Sequence, residues 1–304
     1  MKGRSQVGES RPAVLPLAPT AGPTPQSHDD GTVSAVVLQP VFESGGAVLL
    51  TLALPPLTLT PPLSGRYWLV RCGAHNEFER QEAWSFTLRQ PLMLASADAA
   101  TDEAAAVDFT RCVVVAPPFA EGGARWLAAL PAGSLVNLLG PFGQGFSLNE
   151  TTRNLLLATD LAHLPLLSSL IDHALDRNLR VTLVMPKPAL TADELRSRLP
   201  LAVELHLTAD DTEWRQALTE TMRWADQLMA ALPNATYVDL AQVVRSQRMR
   251  AQTGFAQVLV AADLVCGVGA CLACTIPLAD GSLTRACMHG PVFDLLHLYG
   301  DPRR

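Results

Sequence analysis

"CGVGACLACTIPLADGSLTRACMHGPVF", residues 266–293, holds four of the six cysteines in this 304-residue chain. Their spacing is Cys266-x4-Cys271-x2-Cys274-x12-Cys287. A Cys-x4-Cys-x2-Cys run followed by a distant fourth cysteine is the plant-type pattern for a [2Fe–2S] cluster. The spacing has a physical reason. One loop must wrap the cluster and aim several thiolates inward from short range. Gly267 and Gly269 permit positive φ and leave no Cβ in the way, so backbone N–H groups can turn toward sulfur. Val268, Ala270, Leu272 and Ala273 are small or apolar and suit the shell that tunes such a centre. Cys266, Cys271, Cys274 and Cys287 are therefore the candidate metal ligands. A four-cysteine zinc site is the rival, because it uses the same donors. Its ligands usually come as two close pairs on separate knuckles, whereas here three come from one Gly-rich loop. His289, two residues past Cys287, reads as a solvent-facing or loop-bonding histidine. Cys72 and Cys112 fall on expected strands and read as buried structural thiols.

Outside this stretch the composition is that of a folded chain. Hydrophobic residues make up 48% and charged residues 17%, enough for two modest domains and a core. The formal net charge of −6 argues against a nucleic-acid partner, whose phosphates demand a basic face. "NLLLATDLAHLPLLSSLIDHAL" is the longest apolar candidate, and Asp160, His163 and Pro165 interrupt it, so no membrane span is expected. Residues 1–30 carry five prolines and no apolar h-region; they read as a disordered leader rather than a signal peptide. A cytoplasmic location follows as the default, where thiols stay reduced and clustered cysteines suggest metal before disulfide.

The chain divides by pattern. Over 31–150, short β segments ("VSAVVL", "AVLLTLAL", "RYWLVRC", "FTLRQPLML", "VDFTRCVVVA", "SLVNLLG") alternate with Pro, Gly and Ser breaks, which suggests a small antiparallel barrel. One short helix is expected within "EGGARWLAALPAG". Over 151–260, apolar strands alternate with helical periods: "NLLLATD", "RVTLVMP" and "AVELHLTAD" are strands, and Thr191 and Glu194 are spaced as a capping box. One long helix is expected over 211–232, followed by strands at "ATYVDLA" and "AQVLVA". Such alternation implies βαβ units and a mostly parallel sheet. Residues 261–304 form the cluster segment. The fold class is thus β plus α/β: an N-terminal antiparallel β-barrel, a Rossmann-like parallel α/β domain and a C-terminal [2Fe–2S] segment.

Barrel, α/β domain and "CGVGACLAC…DGSLTRACMHGPVF" in this order resemble the electron-transfer subunit of class 1B dihydroorotate dehydrogenase, of the ferredoxin–NADP reductase superfamily. "SGRYWLVRCG" (64–73) resembles the strand before the flavin site, and "LGPFGQGF" (139–146) the loop that closes the barrel. The resemblance implies a subunit that carries FAD on the barrel, docks NAD on the α/β domain and relays electrons through the cluster to an FMN-containing catalytic partner. It implies a hetero-oligomer, and a chain that transfers electrons without itself transforming the substrate of pyrimidine biosynthesis. It also places Gln90, Pro91, Leu92, Gly122 and Gly123 at the FAD site.

Two departures qualify that picture. The family's flavin motif reads approximately Arg-Pro-x-Ser; aligned on Pro91, the arginine position holds Gln90 and the serine position Met93. Arg89 is one residue away, on the opposite face of a strand. A neutral amide cannot give the charged, bidentate contact that a pyrophosphate takes from arginine, so FAD binding is left open. The family's Gly-rich dinucleotide turn is replaced by "LATDLAHLPL" (157–166), without a glycine and with Asp160 where phosphates would lie. Its later Cys-Gly-Pro turn has no trace in "YVDLAQVV" (237–244). NAD binding is not expected. A cluster-bearing subunit of another redox complex, with both nucleotide sites lost, is the alternative, and a zinc interaction module the remaining one.

Overall fold

The computed structural model describes residues 23–38, 42–44, 47–60, 62–73, 88–102, 107–116, 126–186, 190–248 and 253–300. Gly122 and Gly123 lie outside them, as does most of the leader. Among the described residues no helix is long and apolar enough to cross a membrane.

Six antiparallel strands close into a barrel: β2 (Thr32–Val37), β4 (Ala47–Leu54), β5 (Tyr67–Arg71), β6 (Gln90–Asp102), β7 (Val107–Ala116) and β8 (Leu135–Phe142). Closure is the pairing of Val36 with Ala53 and Val37 with Leu52. Two short strands extend the edges, β1 (Gln26–Ser27) on β2 and β3 (Phe42–Ser44) on β4. β1 lies inside the stretch read as a leader. Residues 126–128 are helical, inside the segment where a short helix was expected.

Strand alternation gives the barrel two buried faces. Trp68, Val70, Leu92, Leu94 and Leu138 fill its interior. Tyr67, Leu69, Met93, Ala95 and Val115, one position out of step, join the core shared with the α/β layer.

That layer is a six-stranded sheet in the order β11-β10-β9-β12-β13-β16. β9 (Asn154–Thr159), β10 (Arg180–Pro186), β11 (Val203–Thr208), β12 (Gln227–Ala231) and β13 (Ala256–Leu259) are parallel. β16 (Val292–Asp294), supplied by the cluster segment, pairs antiparallel with β13. Helix α1 (Ser168–Asp176) follows β9 through a 3-10 turn, Leu164–Leu167. Helix α2 (Ala192–Arg196) opens with the expected capping box of Thr191 and Glu194. The strand order reverses between β9 and β12, where α/β folds place their ligand crevice.

Two expected elements are different. The long helix is instead α3 (Asp211–Met222) followed by β12. "QLMAA" is buried at all five positions, a short apolar run that periodicity cannot assign. Its strand state is fixed from outside: the Asp226 carboxylate accepts from the N–H groups of Arg153 and Asn154 at 2.9 and 2.8 Å, tying it to the start of β9. "ATYVDLA" is not a strand but the start of helix α4 (Tyr237–Gln247). Tyr237, Leu240, Ala241 and Val244 are buried at i, i+3, i+4 and i+7, a helical stripe that the alternation of Tyr237, Val238 and Asp239 disguised. The turn after β12 is therefore Leu232-Pro233-Asn234.

Two seams join the layers. Leu63 N–H donates to Ser169 Oγ at 2.8 Å, and Leu170 N–H donates to Ser64 Oγ at 3.1 Å, so barrel and α1 cap each other. Gln144 N–H donates to Gly290 O at 2.7 Å, and Gln144 bridges Pro291, fastening the barrel loop to the cluster segment. Gly65, at φ +91°, packs there so tightly that a Cβ would stand 2.4 Å from Val292 Cγ2.

The last contact is testable against a control with the same backbone demand. Gly133, at φ +85°, has nothing within 4 Å of a Cβ position. Gly133→Ala should cost only the positive-φ penalty of about 1–2 kcal/mol. Gly65→Ala should cost about 1–3 kcal/mol more through overpacking. Urea unfolding of the two variants measures the difference; equal losses would remove the seam from the account.

Candidate functional site

The cluster segment is held between both layers. After Leu264 the chain enters the cysteine loop, forms the hairpin β14 (Thr275–Pro277) and β15 (Leu283–Arg285), and then the turn of helix α5 (Ala286–His289) that carries Cys287. β16 and helix α6 (Leu295–Tyr299) complete it. Ala286 N–H donates to Cys274 O at 3.0 Å, which fixes the fourth cysteine beside the third.

Cys271 lies beside Cys266 and favours its thiolate. Cys287 N–H reaches Cys274 Sγ at 3.5 Å. Among the described residues no three His, Cys, Asp or Glu side chains converge on a single ion position. Four cysteines, three of them on one glycine-bearing loop, are a donor set that suits a two-iron centre. The loop also offers N–H donors to sulfur. Gly269 N–H donates to Cys287 Sγ at 3.2 Å. Burial opposes ionisation of Cys266, but the N–H groups of Cys271, Val268 and Ala270, with the Cys271 thiol, hold its pKa down to about 6. Cys287 is pushed up, by burial first and then by Cys274, with Gly269 N–H acting against the rise. These donors suit thiolate ligands of a centre that carries negative charge.

Backbone shape matches the donor set. Gly267 and Gly269 sit at φ +71° and +72°. A Cβ on Gly267 would meet the Phe142 ring at 2.9 Å, and one on Gly269 would meet Met288 Cγ at 2.8 Å. Arg285 braces the loop by donating to Gly269 O at 2.8 Å. Leu272 adopts φ +61°, a strained conformation for a leucine, and its side chain is exposed. Cys271 is exposed while Cys274 and Cys287 are buried, so one edge of the site faces outward and the other faces the barrel. On the buried side stands Tyr67, its phenol pKa raised by burial and then by the charges of Cys287, Cys274 and Cys266. Sequence reasoning did not single it out as a site residue; its place one step out of phase with the barrel-filling Trp68 is the signal that could have. The outer edge carries Val268, Leu272, Leu283 and Met288, all exposed. Val292 is buried and Phe293 half-buried, packing under the segment.

Cys72 and Cys112 lie in the barrel interior, with pKa values pushed up to about 12, chiefly by burial. His289 Nδ1 is 3.0 Å from Thr284 Oγ1 on the surface.

The flavin residues expected from the sequence separate. Gln90 and Pro91, with Leu88 and Arg89, face Ala262, Leu264 and Ala273 across a cavity of about 320 Å³. Leu92 points into the barrel core, so only its main chain is available. Arg89 is committed within the barrel: it donates to Leu69 O and Asn137 O at 3.0 and 3.3 Å, and to Asn137 Oδ1 at 2.6 Å. Met93, in place of the serine, is buried in the interlayer core.

At the dinucleotide crevice the N–H groups have internal acceptors. The Asp160 carboxylate accepts from His163 N–H at 2.9 Å and lies 2.7 Å from its Nδ1. The α1 N-terminal turn donates to Ser64. Asn234 spans the next turn, donating to Ala261 O at 2.8 Å and accepting from its N–H at 2.9 Å.

Fold and site together define a barrel-plus-α/β architecture with a cysteine-rich segment at its C-terminal end. Residues 262–298 match the family described as the iron–sulfur cluster binding domain of dihydroorotate dehydrogenase B. A relative from Bacillus velezensis, named dihydroorotate dehydrogenase B (NAD(+)), electron transfer subunit, is 28% identical over 222 residues, covering 68% of this chain and 78% of its own. The structure of the NADH-dependent reduced ferredoxin–NADP oxidoreductase matches with a TM-score of 0.58 at 18% identity, over 87% of this chain and 89% of that one. Phthalate dioxygenase reductase matches with a TM-score of 0.51 at 14% identity, over 86% and 78%. These two establish the fold.

Gly269→Ala should lower iron and labile-sulfide content, because its Cβ displaces the N–H that serves Cys287. Gly281→Ala, also at positive φ but with nothing within 4 Å of the Cβ position, should load normally. Metal analysis of both after identical anaerobic preparation decides; equal loading would refute the role given to Gly269.

Proposed function

We propose that this chain is the electron-transfer subunit of a dihydroorotate dehydrogenase-like complex, with one [2Fe–2S] cluster on Cys266, Cys271, Cys274 and Cys287. The observation that carries the reading is the glycine loop that sets Cys287 beside Cys274 and turns the N–H groups of Gly269 and Cys287 toward sulfur. When bound, such a cluster accepts and releases one electron at a time. The chain's own residues hold it and limit water at its inner edge, where Cys274, Cys287 and Tyr67 are buried. The partner is an FMN-containing catalytic subunit. It docks on the outer edge, where Val268, Leu272, Leu283 and Met288 form the apolar surface. The strain at Leu272 fits a residue held in place for contact. The cytoplasm, with its reduced thiols, is the compartment this site suits.

FAD takes the cavity between Gln90–Pro91 and Ala262–Ala273, which would set its ring beside the cluster segment. A second reading, a cluster-only subunit, is favoured by the internal commitment of Arg89 and the burial of Met93. NAD(H) is not bound, because the N–H groups that would cradle its phosphates already serve Asp160 and Ser64, and the Asp160 charge repels them. Burial works against that carboxylate, but the His163 ring and the N–H groups of His163 and Ala162 outweigh it and hold its pKa low.

Anaerobic preparation should yield about two iron and two labile sulfides per chain; one zinc and no iron would refute the cluster. Cys271→Ser should bleach the visible absorption and Cys72→Ser should not. Bound FAD released on denaturation separates the first reading from the second. Stoichiometric NADH should leave the cluster oxidised, and rapid reduction would overturn the reading of the crevice. In the assembled complex, Leu272→Asp should slow reduction by the partner about tenfold or more with iron retained, whereas Leu135→Asp on the barrel should not.

A further inference from the structure

Tyr67 ends in a hydroxyl that is fully buried and has no hydrogen-bond partner among the described residues. Its position is tightly fixed. It is the first residue of β5, on the face turned away from the barrel interior. Its ring packs on Phe142 at 5.9 Å between centroids, tilted by 40°. A Cβ on Gly143 would stand 2.9 Å from its Cε1. Phe142 in turn covers Gly267 of the cysteine loop. The apolar core around Tyr67 contains Cys274 and Cys287. Phenylalanine would fill the same space without stranding a polar atom, so the hydroxyl calls for an acceptor. The flavin cavity does not supply it, since Tyr67 is not among the residues lining that cavity.

We infer that the Tyr67 hydroxyl donates a hydrogen bond to the sulfur of the iron–sulfur group, on the side held by Cys274 and Cys287, and thereby sets its reduction potential. The inference rests on the cluster assigned above. Its chemistry is complementary to that of the loop. Gly269 N–H serves Cys287 Sγ from within the segment, and Tyr67 serves the same edge from the barrel. Reduction adds one negative charge to the cluster, and a fixed donor stabilises the more negative state. Without the donor, reduction becomes less favourable and the potential falls. Tyr67 acts as a tuning residue; it neither ligates nor transfers electrons.

The experiment is a spectroelectrochemical titration of the anaerobically purified full chain, wild type against Tyr67→Phe. The variant should retain its iron, and its reduction constant should fall about tenfold, which is about 59 mV downward for one electron. A proton coupling in the reduced state that exchanges in D2O should disappear from the electron–nuclear double resonance spectrum of the variant. An iron-loaded variant with unchanged potential and unchanged couplings overturns the inference and leaves the cluster assignment standing. A wild type without iron overturns both. If Tyr67→Phe does not load, 3-fluorotyrosine incorporation tests the same bond in the opposite direction. The chain has three tyrosines, and the other two, Tyr237 and Tyr299, pack on each other at 6.3 Å away from the cluster. A more acidic phenol is a stronger donor and should raise the potential; an unshifted potential overturns the inference.

Discussion

The contact on which the site depends is the meeting of the barrel edge with the end of the cluster segment. Gln144 N–H bonds to Gly290 O, Gly65 receives Val292, and the Phe142 ring covers Gly267. The last two are close approaches that only glycine permits on one side. Together they hold the cysteine loop against the barrel from both of its ends, while β16 extends the α/β sheet with residues from the same segment. The cysteines on their own would be a short flexible loop. Their preorganisation comes from two layers that clamp it, and this explains how a segment with little core of its own can present its thiols.

The crevice at the reversal of strand order shows a second consequence of close packing. In a nucleotide-binding α/β layer the N–H groups there wait for phosphate oxygens. In this chain they are satisfied internally, by Asp160, by Ser64 and across the Asn234–Ala261 pair. A polar crevice has become a set of locks that fix barrel and α/β layer together. The cavity beside Gln90 is open, and so is the exposed edge near Cys271. Both adjoin the cluster segment.

Much of this was legible from the sequence. The Cys-x4-Cys-x2-Cys spacing and its two glycines pointed to the loop, and the segment that matches an iron–sulfur binding domain contains it. Strands with strict punctuation, such as Val107–Ala116 and Arg180–Pro186, fell where the pattern put them. The errors came where local pattern is ambiguous. "QLMAA" is apolar at almost every position, and only its tie through Asp226 to β9 makes it a strand. Tyr237–Ala241 alternates like a strand over three residues and is helical over eleven. The tertiary bonds were not visible at all. No local rule says that Ser64 would cap a helix a hundred residues away, that Arg89 would be spent on Asn137, or that the Tyr67 hydroxyl would be buried without a partner among the described residues.

The most direct test of the central claim is electron paramagnetic resonance of the anaerobically purified chain before and after reduction with dithionite. A [2Fe–2S] centre on the four cysteines is silent when oxidised. It should give one rhombic spin-half signal on reduction, integrating to about one spin per chain. A silent reduced sample from a chain carrying one zinc would contradict the account.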